Sequence, residues 1–238
     1  MKRYRVACLT VAFSVIFLMA RCTTGATFID ATGGPAPTGI YSFGEPTTAT
    51  MGQVFIVPLN DNVLTQFTFY VDDSVANGHD FAEFQTFVYA WNNVDARITG
   101  AALYTSTPAA STNNGGLNGP ETFTFDIGGL SLTPGGQYIF FASAINQFDG
   151  MESFSTTFGQ TNNPYPGGAF YYSNVQTFHL LPLTGWDTFA GHDWEFKATF
   201  VPEPSVIASL PIIACSWCLI ARRRARRSSI TKSWNEGR

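Results

Sequence analysis

Apolar side chains recur at every second position in three separate stretches of this chain, and that period marks a strand with one buried face. Phe67, Phe69 and Val71 share a face of the first stretch, and Phe123, Phe125 and Ile127 a face of the second. Trp194, Phe196, Ala198 and Phe200 repeat the pattern in the third. Residues 84–91 and 138–144 are apolar on both faces, which predicts strands from the middle of a sheet. No part of residues 27–200 keeps a helical period for more than about two turns.

Turn chemistry separates these runs. Thr133-Pro134-Gly135-Gly136 precedes Tyr138, Asn77-Gly78 precedes Phe81, and a Ser/Asn/Gly-rich loop spans residues 107–120. Residues 146–190, rich in Gly, Asn, Thr and Pro, read as a long loop with one short strand near residues 169–173. Short strands punctuated in this way predict an all-β domain over residues 27–200, an antiparallel β-sandwich of jelly-roll type. Its 20 Phe, 8 Tyr and 3 Trp supply rings that suit a pleated, half-buried surface.

Charge is segregated along the chain. Of the 13 Lys and Arg, only Arg97 and Lys197 lie within residues 27–200, against 15 of the 17 Asp and Glu, so the body carries a formal charge of −13. Such a body lacks the positive face that neutralises phosphates, which argues against nucleic-acid binding. The cysteines also sit only at the ends, as Cys8, Cys22, Cys215 and Cys218. The body therefore has no disulfide, thiolate metal site or cysteine nucleophile. Cys215 and Cys218 have Cys-x-x-Cys spacing, but inside an apolar run, a context that argues against redox or metal chemistry.

Residues 1–26 read as a secretory signal peptide. Lys2, Arg3 and Arg5 form the basic start, residues 6–20 an uncharged and mostly apolar run, and Thr24-Gly25-Ala26 a site for cleavage after Ala26. At the other end Pro202-Glu203-Pro204 is an extended spacer, because proline neither continues a helix nor donates to a sheet ladder. Residues 206–221 carry no charge; as a helix they would span about 24 Å, short of the ~30 Å hydrocarbon core of a bilayer. Arg222, Arg223, Arg224, Arg226 and Arg227 then form a basic membrane stop, which the positive-inside rule keeps cytoplasmic while the acidic body lies outside.

In that order, Pro202-Glu203-Pro204, a short apolar transmembrane helix and an arginine cluster, the tail over residues 201–238 resembles the PEP-CTERM sorting signal. The resemblance implies an exported protein of a Gram-negative bacterium that carries surface polysaccharide. Such a chain would pass the secretion translocon and signal peptidase, be held transiently in the inner membrane, and be recognised and cleaved by an exosortase. Pro211 inside the apolar run and the extension to Arg238 depart from the pattern. The body is similar to exported β-domains that precede such tails, through Gly52-Gln53-Val54-Phe55, Val88-Tyr89-Ala90-Trp91 and residues 64–69, 129–135 and 196–200. That similarity implies no shared activity.

Candidate ligand-binding residues fall into three groups. Gly78-His79-Asp80-Phe81 and Gly191-His192-Asp193-Trp194 repeat one pattern ahead of a strand. Together His79, Asp80, His192 and Asp193 would offer imidazoles and carboxylates to a metal ion or a catalytic pair, while a turn with Asp accepting backbone N–H explains the same spacing. Asp72 with Asp73, and Asp61 with Asn62, sit at strand ends, where oxygen ligands would suit Ca²⁺. Trp186, in a Gly-containing loop, is the candidate platform for a sugar ring, whereas core packing explains Tyr89 and Trp91 equally well. His179 stands alone.

No P-loop, dinucleotide glycine motif, H-E-x-x-H or G-x-S-x-G is present, and nothing singles out two of the fifteen carboxylates as a glycosidase pair. The expectation is an exported surface or matrix protein with no catalytic residues and no required cofactor. The alternative is a carbohydrate-binding module for exopolysaccharide, with Ca²⁺ as the ion it would use.

Overall fold

Alternation at period two becomes strands that share two cores. The computed structural model describes residues 25–32, 38–73, 81–153, 155–161 and 164–204. The chain divides into two units. Gly25–Pro202 is one, and the other takes in Met1–Thr24 and Glu203–Arg238, of which only Glu203 and Pro204 are described. The signal peptide to residue 24, the apolar helix over 206–221 and the arginine cluster 222–227 lie outside the described residues. Among the described residues no helix is long and apolar enough to cross a membrane.

Fourteen strands are found among the described residues. The first seven are β1 (Thr27–Asp30), β2 (Thr38–Phe43), β3 (Thr50–Ile56), β4 (Val63–Asp73), β5 (Glu83–Asn92), β6 (Arg97–Thr105) and β7 (Ala109–Ala110). A short helical turn at Asn113–Gly116 leads to β8 (Glu121–Ser131), β9 (Gln137–Ser143) and β10 (Ser155–Thr161). β11 (Phe170–Ser173), β12 (Asp187–Thr188), β13 (His192–Trp194) and β14 (Phe196–Val201) complete the series. The first sheet runs β1-β14-β4-β10-β13, with β2 beside β10 and β8 beside β4. The second runs β12-β11-β3-β9-β5-β6, with β7 beside β5. Every strand pairing is antiparallel, so the fold is nearly all β in two antiparallel sheets.

The main core lies where the two sheets face each other. Phe67 of β4 stacks on Phe140 of β9 at 3.9 Å and on Phe196 of β14 at 5.2 Å, and Phe69 meets Trp194 at 4.4 Å. Each buried ring of this kind contributes about 1.5–3 kcal/mol through the apolar area it removes from water. The alternating faces seen in the sequence are the faces that meet here: Phe67, Phe69, Val71, Phe196, Ala198 and Phe200 are all buried in this cluster.

A second cluster covers the outer face of the second sheet. Val54, Phe87, Tyr89, Trp91, Ile139 and Phe141 point outward there, and Leu181 and Trp186, from the segment between β11 and β12, close over them. This explains why β5 and β9 are apolar on both faces: each has the sandwich core on one side and a loop roof on the other. They are also interior strands of their sheet.

Residues 146–190 hold more structure than a long loop. β11 lies where a short strand was expected, but β10 lies there as well. β10 pairs with the end of β4 through Ser155, Thr156 and Thr157, then with β13 through Gly159, Gln160 and Thr161. The Glu195 N–H donates to the Phe158 carbonyl at 2.7 Å where the β13–β14 run leaves β4.

Candidate functional site

Aspartate and glutamate serve in this fold first as acceptors for backbone N–H groups. Asp73, at the end of β4, accepts the Asn113 N–H at 2.7 Å and the Ser155 hydroxyl at 2.6 Å. Glu121 accepts the Thr112 N–H at 2.8 Å and the Thr112 hydroxyl at 2.9 Å, closing the polar loop in which Asn113 and Asn114 take left-handed φ values of 52°. Glu45 accepts the N–H groups of Asp149 and Gly150 at 2.9 and 3.0 Å. Asp72 differs: burial and the neighbouring Asp73 charge raise its pKa. The Asp72–Asp73 pair is thus a junction between β4, β10 and the 111–120 loop.

Asp61 and Asn62, the other strand-end pair, are buried. The Thr27 hydroxyl donates to Asp61 Oδ2, and Asn62 Nδ2 donates to the Leu132 carbonyl at 3.0 Å. Among the described residues no three His, Cys, Asp or Glu side chains gather in a way that could hold a metal ion. His79 and Asp80 lie outside the described residues.

His192 and Asp193 are neighbours in β13 that do separate things. The half-buried His192 ring sits with Nδ1 3.2 Å from the Ala190 carbonyl and 6.1 Å from the Phe189 ring. Asp193 is fully buried; its Oδ1 accepts from Gln53 Nε2 at 2.8 Å and its Oδ2 from the Tyr165 N–H at 2.9 Å. Gln53 in turn accepts the Trp194 N–H at 2.7 Å, so one amide ties β3 to β13 across the sandwich. Burial raises the Asp193 pKa, and the Tyr165 N–H, the Gln53 amide and His192 only partly offset it. The turn reading expected Asp193 to accept a nearby backbone N–H; its backbone donor instead lies 28 residues away, at Tyr165.

Trp186 is not an exposed platform. Only 4% of it is exposed, its Nε1 donates to the Leu181 carbonyl at 3.1 Å, and its ring packs edge-on against Trp91 and Phe141 at 5.8 and 5.2 Å. A large ring in a glycine-containing loop was read as surface, but burying that ring is what holds the loop down as a roof. Tyr89 and Trp91 belong to the same cluster, and His179 is exposed.

Beside this roof the outer face of the second sheet stays open as a cleft of about 220 Å³. Val54 and Ile56 of β3 line it, together with Gln137 at the start of β9, Asn93 just after β5, Tyr171 of β11 and residues 166–169. The buried Asp193 positions that last segment from behind through the Tyr165 N–H. In front, the Ile56 N–H donates to the Tyr165 hydroxyl at 3.0 Å and the Val54 N–H to the Ala169 carbonyl at 3.0 Å. A Cβ on Gly168 would fall 1.7 Å from the Val54 carbonyl oxygen, so only glycine permits this approach. The Tyr171 ring packs on Trp91 at 4.5 Å, and burial raises its phenol pKa. The sequence reading missed Asn93, Gln137 and Tyr171. The available signal was Gln137, a polar residue in phase with the outward-facing Ile139 and Phe141.

No family model and no curated protein matches this chain. Solved structures similar to it include the following two. One contains the cysteine protease and lectin-like domains of Cwp84, a surface layer associated protein of Clostridium difficile, at 13% identity and a TM-score of 0.46, over 75% of this chain and 36% of that one. The other is the clostridial cysteine protease Cwp84 after propeptide cleavage, at 12% identity and a TM-score of 0.46, over 75% of this chain and 40% of that one. The match spans less than half the length of either structure.

Proposed function

We propose that the chain is an exported cell-surface or extracellular-matrix protein of a Gram-negative bacterium, delivered by a PEP-CTERM tail, with a jelly-roll-like sandwich as non-catalytic cargo. The observation that carries this reading is where the sorting motif begins. Pro202-Glu203-Pro204 follows the last residue of β14 directly, and Glu203 and Pro204 are exposed, so the recognition segment is accessible where the sandwich ends. The apolar run and Arg222, Arg223, Arg224, Arg226 and Arg227 would hold the chain in the inner membrane until exosortase cleaves it. The non-catalytic part draws support from the carboxylates: Asp73, Asp193, Glu45 and Glu121 all hold backbone N–H groups in place.

Replacing Pro202, Glu203 and Pro204 together with alanine, in a host that carries an exosortase, tests the sorting role. The variant should still be exported and inserted but keep its C-terminus, read as an unprocessed band in the membrane fraction. Normal loss of the C-terminus would remove the role assigned to the motif. The second reading, a carbohydrate-binding module for exopolysaccharide, is favoured by the polar cleft on the second sheet. Glycan binding measured with and without EDTA tests whether Ca²⁺ takes part.

A further inference from the structure

We propose that the cleft on the outer face of the second sheet is the binding site for a neutral sugar unit, an assignment that rests on the carbohydrate-binding reading. Three of its lining residues carry polar side chains that the fold does not use: among the described residues, the amides of Asn93 and Gln137 and the hydroxyl of Tyr171 make no hydrogen bond within the protein. By contrast, the amides of Gln53, Asn62 and Gln176 are held by other groups of the protein. An amide offers a donor and an acceptor side by side, which is what a pair of sugar hydroxyls requires.

The rest of the lining fits the same chemistry. The exposed side chain of Ile56 gives an apolar patch for the C–H face of a ring, and the half-buried Tyr171 ring is held against Trp91. Among the described residues, no carboxylate, ammonium, guanidinium or imidazole side chain lines the cleft. The surrounding body, at a formal −13, would repel an anionic polysaccharide. At about 220 Å³ the space is below the ~300–1,000 Å³ of pockets for drug-sized ligands, which suits one sugar ring at a time. The wall is also preorganised: Asp193 holds Tyr165, and Gly168 rests on Val54, so little ordering cost remains for the ligand.

The test is an array of neutral gluco-, galacto- and manno-oligosaccharides beside uronate-containing ones, probed with the full-length chain and followed by calorimetric titration of the best neutral binder. Asn93→Ala and Gln137→Ala should each weaken binding about tenfold, the net worth of one lost hydrogen bond. Asn60→Ala, which removes an exposed amide outside the cleft, should leave binding unchanged. Matching unfolding midpoints will show that each variant is folded. Neutral-glycan binding that both cleft variants leave unchanged overturns the site while the carbohydrate-binding reading stands. Tighter binding of uronates than of neutral glycans overturns the neutral assignment. No glycan binding by the wild type overturns that reading and the site together.

Discussion

Asp193 carries two N–H donors on its two oxygens in a place fully closed to solvent. An asparagine of the same shape can accept from only one of them and must turn its own NH₂ toward the other. Asp193→Asn should therefore destabilise the fold by about 1–3 kcal/mol, the usual cost of leaving a buried donor unsatisfied. The loss should also depend on pH. Burial raises the native pKa of Asp193, so the native state holds this proton more tightly than the unfolded chain does. The associated stability is fully present below the unfolded value of about 4 and is lost as pH rises through the raised native value. Denaturant unfolding at neutral pH, where the carboxylate can accept from both donors, checks this cost, and an Asp193 contribution to wild-type stability that grows as pH rises would contradict the raised pKa. Of this hub the sequence showed an aspartate in a turn-like string before a tryptophan. Its partners Gln53 and Tyr165 were not legible, because they come from 140 and 28 residues away.

At the scale of elements, legibility followed apolar alternation. β4, β8 and β14 could be read directly because half of their positions are rings or branched side chains facing one core. β10 could not, since Ser-Thr-Thr-Phe-Gly-Gln-Thr has a single ring and takes its place by pairing with β2, β4 and β13. The roof was misread for the opposite reason. A segment with Gly, Asn and Pro punctuation looks like a surface loop, yet it sends Leu181 and Trp186 down onto Phe87, Trp91 and Phe141. Leu181 is fully buried in that cluster. Leu181→Ala should cost about 2 kcal/mol or more by thermal unfolding, with the cavity left behind setting the excess. Trp186 fluorescence should shift to the red as the roof loosens. A substitution that leaves both stability and emission unchanged would mean that the segment does not depend on this contact.

For the whole molecule, the processing expected at the N-terminus and the register of the first sheet meet at one residue. β1 begins at Thr27, the first residue after the proposed cleavage at Ala26, and pairs with β14 from Thr27 opposite Phe200 to Asp30 opposite Lys197. The Thr27 hydroxyl is bound to the buried Asp61, and the exposed Asp30–Lys197 ion pair closes the other end at 3.1 Å. β1 is the edge strand of its sheet and, among the described residues, the strand that covers the outer edge of β14. Cleavage after Ala26 keeps that cover entire, whereas a cut a few residues later would strip it. An uncovered β14 would present unpaired N–H and C=O groups beside Phe196 and Phe200, a template for pairing with another chain. A chain that starts at Thr27 should therefore stay monodisperse by light scattering, with slow amide exchange along β14. A chain that starts at Ala31 should self-associate and exchange those amides quickly. Equal behaviour of the two would show that β1 is dispensable, and that the position of the cleavage site is not tied to the fold.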